Sequence, residues 1–172
     1  MTNVADEIDF IIDHIDPLGQ GVFKKDENIY FIPKTLPGES GKAIIYKRKK
    51  GVHFAKLKSL TKNSDKRISP ECEHFSKCAG CHFLHCDYET EIESKFTNFK
   101  RMISFIQKDI HCHYIQAPKR LSYRNRIQLH YNRSTEMLGF IDSTNHKIIE
   151  VPNCVIATEL IQNIVKSLYK EK

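Results

Sequence analysis

Ala43-Ile44-Ile45-Tyr46-Lys47-Arg48-Lys49-Lys50-Gly51-Val52-His53-Phe54-Ala55-Lys56-Leu57-Lys58-Ser59-Leu60 divides at its glycine. The stretch predicts two strands, Ala43 to Arg48 and Val52 to Leu60, because Ile, Tyr, Val and Phe favour a pleated surface and Gly51 admits the angles of a tight turn. Four consecutive cations, Lys47, Arg48, Lys49 and Lys50, precede that turn. Working upstream, Ile8, Phe10 and Ile12 recur at every second position, as a half-buried strand requires. Pro17-Leu-Gly-Gln-Gly21 is a turn, Val22 and Phe23 begin a second strand, and Lys24 to Asn28 is polar hairpin material before a third at Ile29-Tyr-Phe-Ile32. Pro33 stops that ladder, and Leu36 to Gly41 forms a longer loop. Short strands of this number between residues 7 and 61 predict a small antiparallel, OB-like barrel.

Downstream, residues 62–71 are polar and read as a linker, so the expected division is a barrel over 1–67 and a second region over 68–172. From Asp87 the period changes: Tyr88, Ile92, Phe96, Phe99, Ile103 and Ile106 recur at spacings of four and three, predicting a helix over 87–107. Glu89, Glu91 and Glu93 near its start and Lys100, Arg101 and Lys108 near its end suit the helix dipole. Period two returns at Tyr123, Ile127, Leu129 and Tyr131. Further strands are expected at Met137 to Ile141 and Lys147 to Val151, completing an antiparallel meander. A second apolar stripe, from Leu160 to Tyr169, predicts a closing helix that starts near Thr158. The fold class is therefore α+β.

The chain has 172 residues, enough for one ordinary domain or two small ones, and its 40% apolar content sits slightly below the usual range of about 45–50%. No apolar run approaches the roughly 18 residues of a membrane span, and the opening residues carry neither a basic flank nor an apolar stretch. The expectation is a cytoplasmic, unprocessed protein with no membrane partner. Its charge is unevenly spread. Residues 1–16 hold five acids and no Lys or Arg, residues 42–67 hold ten Lys or Arg against Asp65 alone, and residues 114–133 hold five Lys or Arg and no acid. Such local excesses suit a polyanion, since each cation near a phosphate displaces a condensed counterion. A solvated, lysine-rich face kept for solubility is the competing reading.

Six cysteines without a secretion signal favour metal ligation over a disulfide framework. Cys72-Glu-His-Phe-Ser-Lys-Cys78-Ala-Gly-Cys81 places three thiols within ten residues, with Gly80 allowing a tight turn between ligands. Cys154, after Pro152-Asn153, is favoured as the fourth ligand over Cys86 and Cys112. Structural zinc sites usually close with paired short knuckles, and only one is present here. A wider iron–sulfur cubane tolerates the irregular first spacing, while the histidines at 74, 82, 85, 111 and 113 keep zinc open as a second choice. A ferredoxin-like carrier would need a tighter cysteine run, and a radical enzyme C-x3-C-x2-C.

These residues resemble the S-adenosylmethionine-dependent RNA uracil-5-methyltransferases, especially the bacterial 23S rRNA branch. The matching stretches are Gly19-Gln-Gly21-Val22, Ile32-Pro33 through Pro37-Gly38-Glu39, the cysteine motif with Ala79 in place of a family glycine, Tyr123-Arg124-Asn125-Arg126, and Cys154, all in the family's order. The resemblance implies a TRAM-type RNA-binding barrel and a 4Fe-4S cluster held by Cys72, Cys78, Cys81 and Cys154, with a structural or RNA-orienting role. It implies RNA as the partner, ribosomal RNA in particular, contacted through Lys47, Arg48, Lys49, Lys50, Arg124 and Arg126.

In that family a further domain binds S-adenosylmethionine and supplies the nucleophilic cysteine and the carboxylate base. No glycine-rich turn after a strand, Asp-Pro-Pro or Ser-Cys-Asn-Pro segment occurs in these 172 residues, so no catalytic residue is assigned and the chain alone is expected to be inactive. The helix over 87–107 is expected to pack on the catalytic domain in the family. Here its stripe would fold back on the strands near Ile127 and Leu129 or on the helix near Leu160, or pair with another copy. A stand-alone, non-enzymatic nucleic-acid-binding protein with an iron–sulfur or zinc site is the alternative.

Overall fold

The computed structural model describes residues 6–106, 111–143 and 147–171. The chain divides into two compact units, one of residues 1–69 and 85–114 and one of residues 70–84 and 115–172.

The first unit is built on a six-stranded sheet of β1 (Glu7–Ile11), β2 (His14–Ile15), β3 (Gln20–Lys25), β4 (Asn28–Pro33), β5 (Ser40–Lys49) and β6 (Val52–Lys62). Their order across the sheet is β1-β5-β6-β4-β3-β2. Alternation places Phe10, Ile12, Phe23, Tyr30, Ile32, Ala43 and Ala55 together as a buried core, with Ile8, Ile45, Leu57 and Leu60 packed against it. Phe23 stacks on Tyr30 at 4.6 Å between ring centroids, and Tyr30 lies 4.8 Å from the His53 ring. Gly51 turns the β5–β6 hairpin at φ +76°, a value a β-branched residue would reach only with strain.

The expected antiparallel barrel is corrected on two points. β4 pairs with β6 in parallel, and among the described residues no ladder joins β1 to β2, so the curled sheet is not closed. The reason lies in Ile12 and Asp13, the two residues between those edge strands. Their N–H groups donate to Glu39 O at 2.9 Å and to Val22 O at 2.8 Å, so the chain passes from one sheet edge to the other without pairing with itself.

The same unit contains α1 (Tyr88–Ile103), shorter than the expected helix over 87–107. Asp87 caps it by accepting from Thr90 N at 2.7 Å. Gln107 and Lys108 lie outside the described residues. Its buried residue is Asn98, whose Nδ2 donates to Ile15 O and Asp16 O at 3.2 Å each. Of the expected stripe, Tyr88, Ile92, Phe96 and Ile103 are half-buried and Phe99 and Ile106 are exposed, with Met102 and Phe105 exposed beside them in sequence.

The second unit holds β7 (His130–Asn132), β8 (Met137–Ile141) and β9 (Ile148–Ile149) as an antiparallel meander, followed by α2 (Glu159–Glu171). Gly139 is required by close approach, because a Cβ there would sit 1.8 Å from Ile149 O. The Tyr169 hydroxyl of α2 donates to Leu138 O at 2.5 Å and accepts from Val151 N at 2.9 Å, fixing the helix to the meander. The strand expected from Tyr123 is corrected: only His130 to Asn132 pair as a strand. Arg124 instead makes an isolated parallel bridge with Ala157, and Ser122 adopts φ +54°, so the alternating residues find a loop as partner.

Candidate metal centre and nucleic-acid interface

Cys72, Cys78, Cys81 and Cys154 all fall in the second unit, whereas Cys86 and Cys112 fall in the first. None of the six is in a disulfide. The cysteine loop is shaped by its own backbone: Phe75 N donates to Cys72 O at 3.1 Å and Cys78 N to His74 O at 2.8 Å, while buried Phe75 anchors it. Gly80 N donates to Cys78 Sγ at 3.3 Å, a contact that a thiolate ligand would strengthen. The loop is tied to the end of β8 by a bridge between Cys78 and Asp142 and by Ser143 N donating to Lys77 O at 2.8 Å. On the other side, Ala157 N donates to Cys154 O at 3.0 Å, and the segment after Cys154 receives Ser122 N and Arg124 N on Val155 O and Ile156 O.

Burial pushes the Cys81 thiol up to about 12, and the nearby Cys78, Cys154 and Cys72 add to the rise while Arg124 opposes it. Burial also raises Cys72, with Cys154 and Cys78 contributing. Among the described residues, no three His, Cys, Asp or Glu side chains converge as they would around a single metal ion.

Lys47, Arg48, Lys49 and Lys50 lie at the exposed end of the β5–β6 hairpin. Sequence separation hides one feature. The acidic opening stretch forms β1, which pairs directly with β5, so part of the basic tract is neutralised by its neighbour. Arg48 pairs with Asp6, Lys58 with Glu7, and Lys42 with Glu7 at 2.9 Å. Hydrogen bonds from Lys58 and Lys42 hold the exposed Glu7 carboxyl down to about 2. The predicted RNA-contacting cations thus include one, Arg48, already engaged. Arg124 and Arg126 are exposed in the second unit, and Arg124 is near enough to Cys81 to influence it, which spacing does not indicate. Tyr123 and Tyr131 are exposed rather than buried on a strand.

Two groupings escape a reading of the sequence. Glu39 is fully buried and paired with Arg67, beside fully buried His85. Phe31 and Phe54 stack across β4 and β6 with ring centroids 5.5 Å apart. The β4–β6 register creates the second, and segments outside the strands bring the first together.

Proteins of similar sequence are named as RNA methyltransferases. No protein-family model matches the chain. An uncharacterized RNA methyltransferase of Listeria monocytogenes is 32% identical over 160 residues, covering 88% of this chain and 34% of the relative. A 23S rRNA (uracil(1939)-C(5))-methyltransferase of Shewanella frigidimarina is 30% identical over 166 residues, covering 91% of this chain and 36% of the relative. More particularly, the proteins it is similar to include 23S rRNA (uracil(1939)-C(5))-methyltransferases, of whose length this chain spans about a third. In fold it is similar to a Pyrococcus abyssi tRNA (uracil-54, C5)-methyltransferase solved with S-adenosyl-L-homocysteine. That likeness has a TM-score of 0.70 at 22% identity over 94% of this chain and 36% of the other. No helix among the described residues is long and apolar enough to cross a membrane.

Proposed function

We propose that this chain is the RNA-holding and cluster-holding part of an S-adenosylmethionine-dependent RNA uracil-5-methyltransferase acting on ribosomal RNA in the cytoplasm. The observation that carries the reading is that Cys154, 73 residues beyond Cys81, falls in the same unit as Cys72, Cys78 and Cys81 in a chain similar to such enzymes. Four thiols from two segments of the same unit are the ligand type and number that a 4Fe-4S cluster takes. The residues therefore fit a 4Fe-4S cluster, whose role would be to hold the cysteine loop, the end of β8 and the segment after Cys154 in fixed relation. Arg124 supplies a compensating positive charge beside Cys81.

The TRAM-like region over 1–67 grips RNA through Lys47, Lys49 and Lys50, with Arg48 a weaker contributor because of Asp6. Arg124 and Arg126 contribute from the region over 68–172. S-adenosylmethionine belongs to catalytic machinery for which these residues carry no motif. The expected result is that the chain binds a structured fragment of 23S rRNA with an affinity that falls steeply as salt rises. Neutralising Lys47, Lys49 and Lys50 should flatten that dependence by about one unit of log–log slope for each phosphate no longer paired with a cation. With labelled S-adenosylmethionine it should transfer no methyl group. Methylation by the chain alone, or a salt-indifferent affinity, overturns the assignment.

The exposed apolar side chains of α1 also support self-association. Replacing Phe99 and Met102 with Ser should abolish a concentration-dependent dimer in sedimentation while leaving the melting temperature unchanged; a monomer at all concentrations refutes it.

A further inference from the structure

The outward face of the six-stranded sheet carries a pattern that the basic hairpin alone does not explain. Its registers align two rows of side chains across four strands: Val22, Phe31, Phe54 and Lys47 in one, and Lys24, Ile29, Val52 and Lys49 in the next. Side chains alternate along a strand, so these rows face away from the core formed by Tyr30, Ile32 and Ala55. Val22 is buried, but Ile29, Phe31, Val52 and Phe54 are only half-buried, and the three lysines are exposed. The Phe31 and Phe54 rings are near parallel, 21° apart, and the Lys47 ammonium lies 5.7 Å from the Phe54 centroid. Tyr46, at the register shift between Ile45 and Lys47 that precedes the cation of this row, is 62% exposed. Neither row contains an acid. The result is an aromatic and aliphatic centre with cations on both flanks, spanning about 14 Å across three strand spacings.

We propose that this face binds a short unpaired stretch of RNA, with bases laid on Phe31, Phe54 and Tyr46 and the backbone drawn to Lys24, Lys47 and Lys49. The inference rests on the RNA-binding reading above and deepens it by naming single-stranded RNA as the ligand of this surface. A π-face is common to all bases, so such a platform accepts any sequence, whereas a duplex keeps its bases stacked on one another and offers phosphates, 2′-hydroxyls and groove edges rather than free base faces. Lysines on both flanks suit a polyanion and disfavour an apolar protein partner.

The test uses the full chain with a short single-stranded RNA containing 2-aminopurine and with a duplex of the same length. The single strand should bind more tightly, and stacking should quench its emission. Phe54→Leu, which keeps an apolar side chain on the sheet, should weaken single-strand binding about tenfold or more and remove the quenching, with duplex binding unchanged. Lys49→Gln should instead reduce the salt dependence and retain the quenching. Binding without preference for the single strand, or with no effect of Phe54→Leu, overturns the platform while leaving the RNA-binding reading intact. Failure to bind either RNA overturns both.

Discussion

On the proposed ligand set, Cys154→Ala should lose the cluster: protein purified without oxygen would fall from about four irons per chain to nearly none and lose its brown colour. The backbone around Cys154 is held independently of its sulfur, through Ala157 N on Cys154 O and through Ser122 and Arg124 donating to the next two carbonyls. Losing the thiol therefore removes a ligand without removing the loop. Three thiolates on the 72–81 segment would retain the cluster poorly, and because ligation is coupled to folding the variant should also melt earlier. Cys112→Ser is the matched control, since Cys112 belongs to the other unit, and it should leave iron content unchanged. Stoichiometric zinc without iron, or full iron in Cys154→Ala, overturns the ligand set.

The strands are legible in the sequence where period two holds against a buried core. In Ile8 to Ile12 the alternate apolar residues are the ones inside, whereas Ile29 to Ile32 is apolar on both faces and in Val52 to Ala55 the buried residues are His53 and Ala55, so there the strand is legible and its inner face is not. Their order is not legible, because the parallel meeting of β4 with β6 is decided by packing through space. Charge shows the same division. The acidic tract before residue 17 and the basic tract after residue 41 stand out in the sequence, yet only the β1–β5 ladder reveals that Glu7 sits between Lys42 and Lys58. Residues Tyr123 to Tyr131 alternate convincingly but lack a strand partner until His130. The helix stripe misleads in another way. α1 is anchored by Asn98 through two backbone carbonyls, a polar contact that no apolar periodicity can announce. The cysteine spacing identifies candidates for one centre, while the proximity of Arg124 to Cys81 depends on the bridge to Ala157.

Arg67→Ala should cost the first unit about 3–5 kcal/mol, because it leaves a buried carboxylate without its cation. Glu39 has no exposed surface, and its oxygens accept from Arg67 Nε at 2.5 Å, Arg67 Nη2 at 2.7 Å, Leu36 N at 2.9 Å and Ser64 N at 3.2 Å. Arg67 also donates to Lys34 O at 2.9 Å, so one guanidinium joins the loop before β5 to the segment after β6. Burial pushes the Glu39 carboxyl up, but the Arg67 and backbone hydrogen bonds outweigh it and hold the group below its ordinary value. A depressed carboxyl contributes its stability above the unfolded value of about 4.3 and loses it as pH falls through the lower folded value. His85, beside the pair, is lowered to about 4 by burial and then by Arg67. Its unfolded form takes up protons first, so stability should begin to fall below about 6.5, before Glu39 titrates. Urea melts across pH should therefore show wild-type stability declining from about 6.5 downward. In Arg67→Ala the sign reverses for Glu39: with burial now dominant its folded value rises, and acidification toward about 4.3 should recover part of the loss. Glu39→Gln combined with Arg67→Met, which removes both charges, should be more stable than Arg67→Ala alone. Equal stability of the two variants, with no difference between their pH profiles, would show that the ion pair contributes nothing to holding this loop.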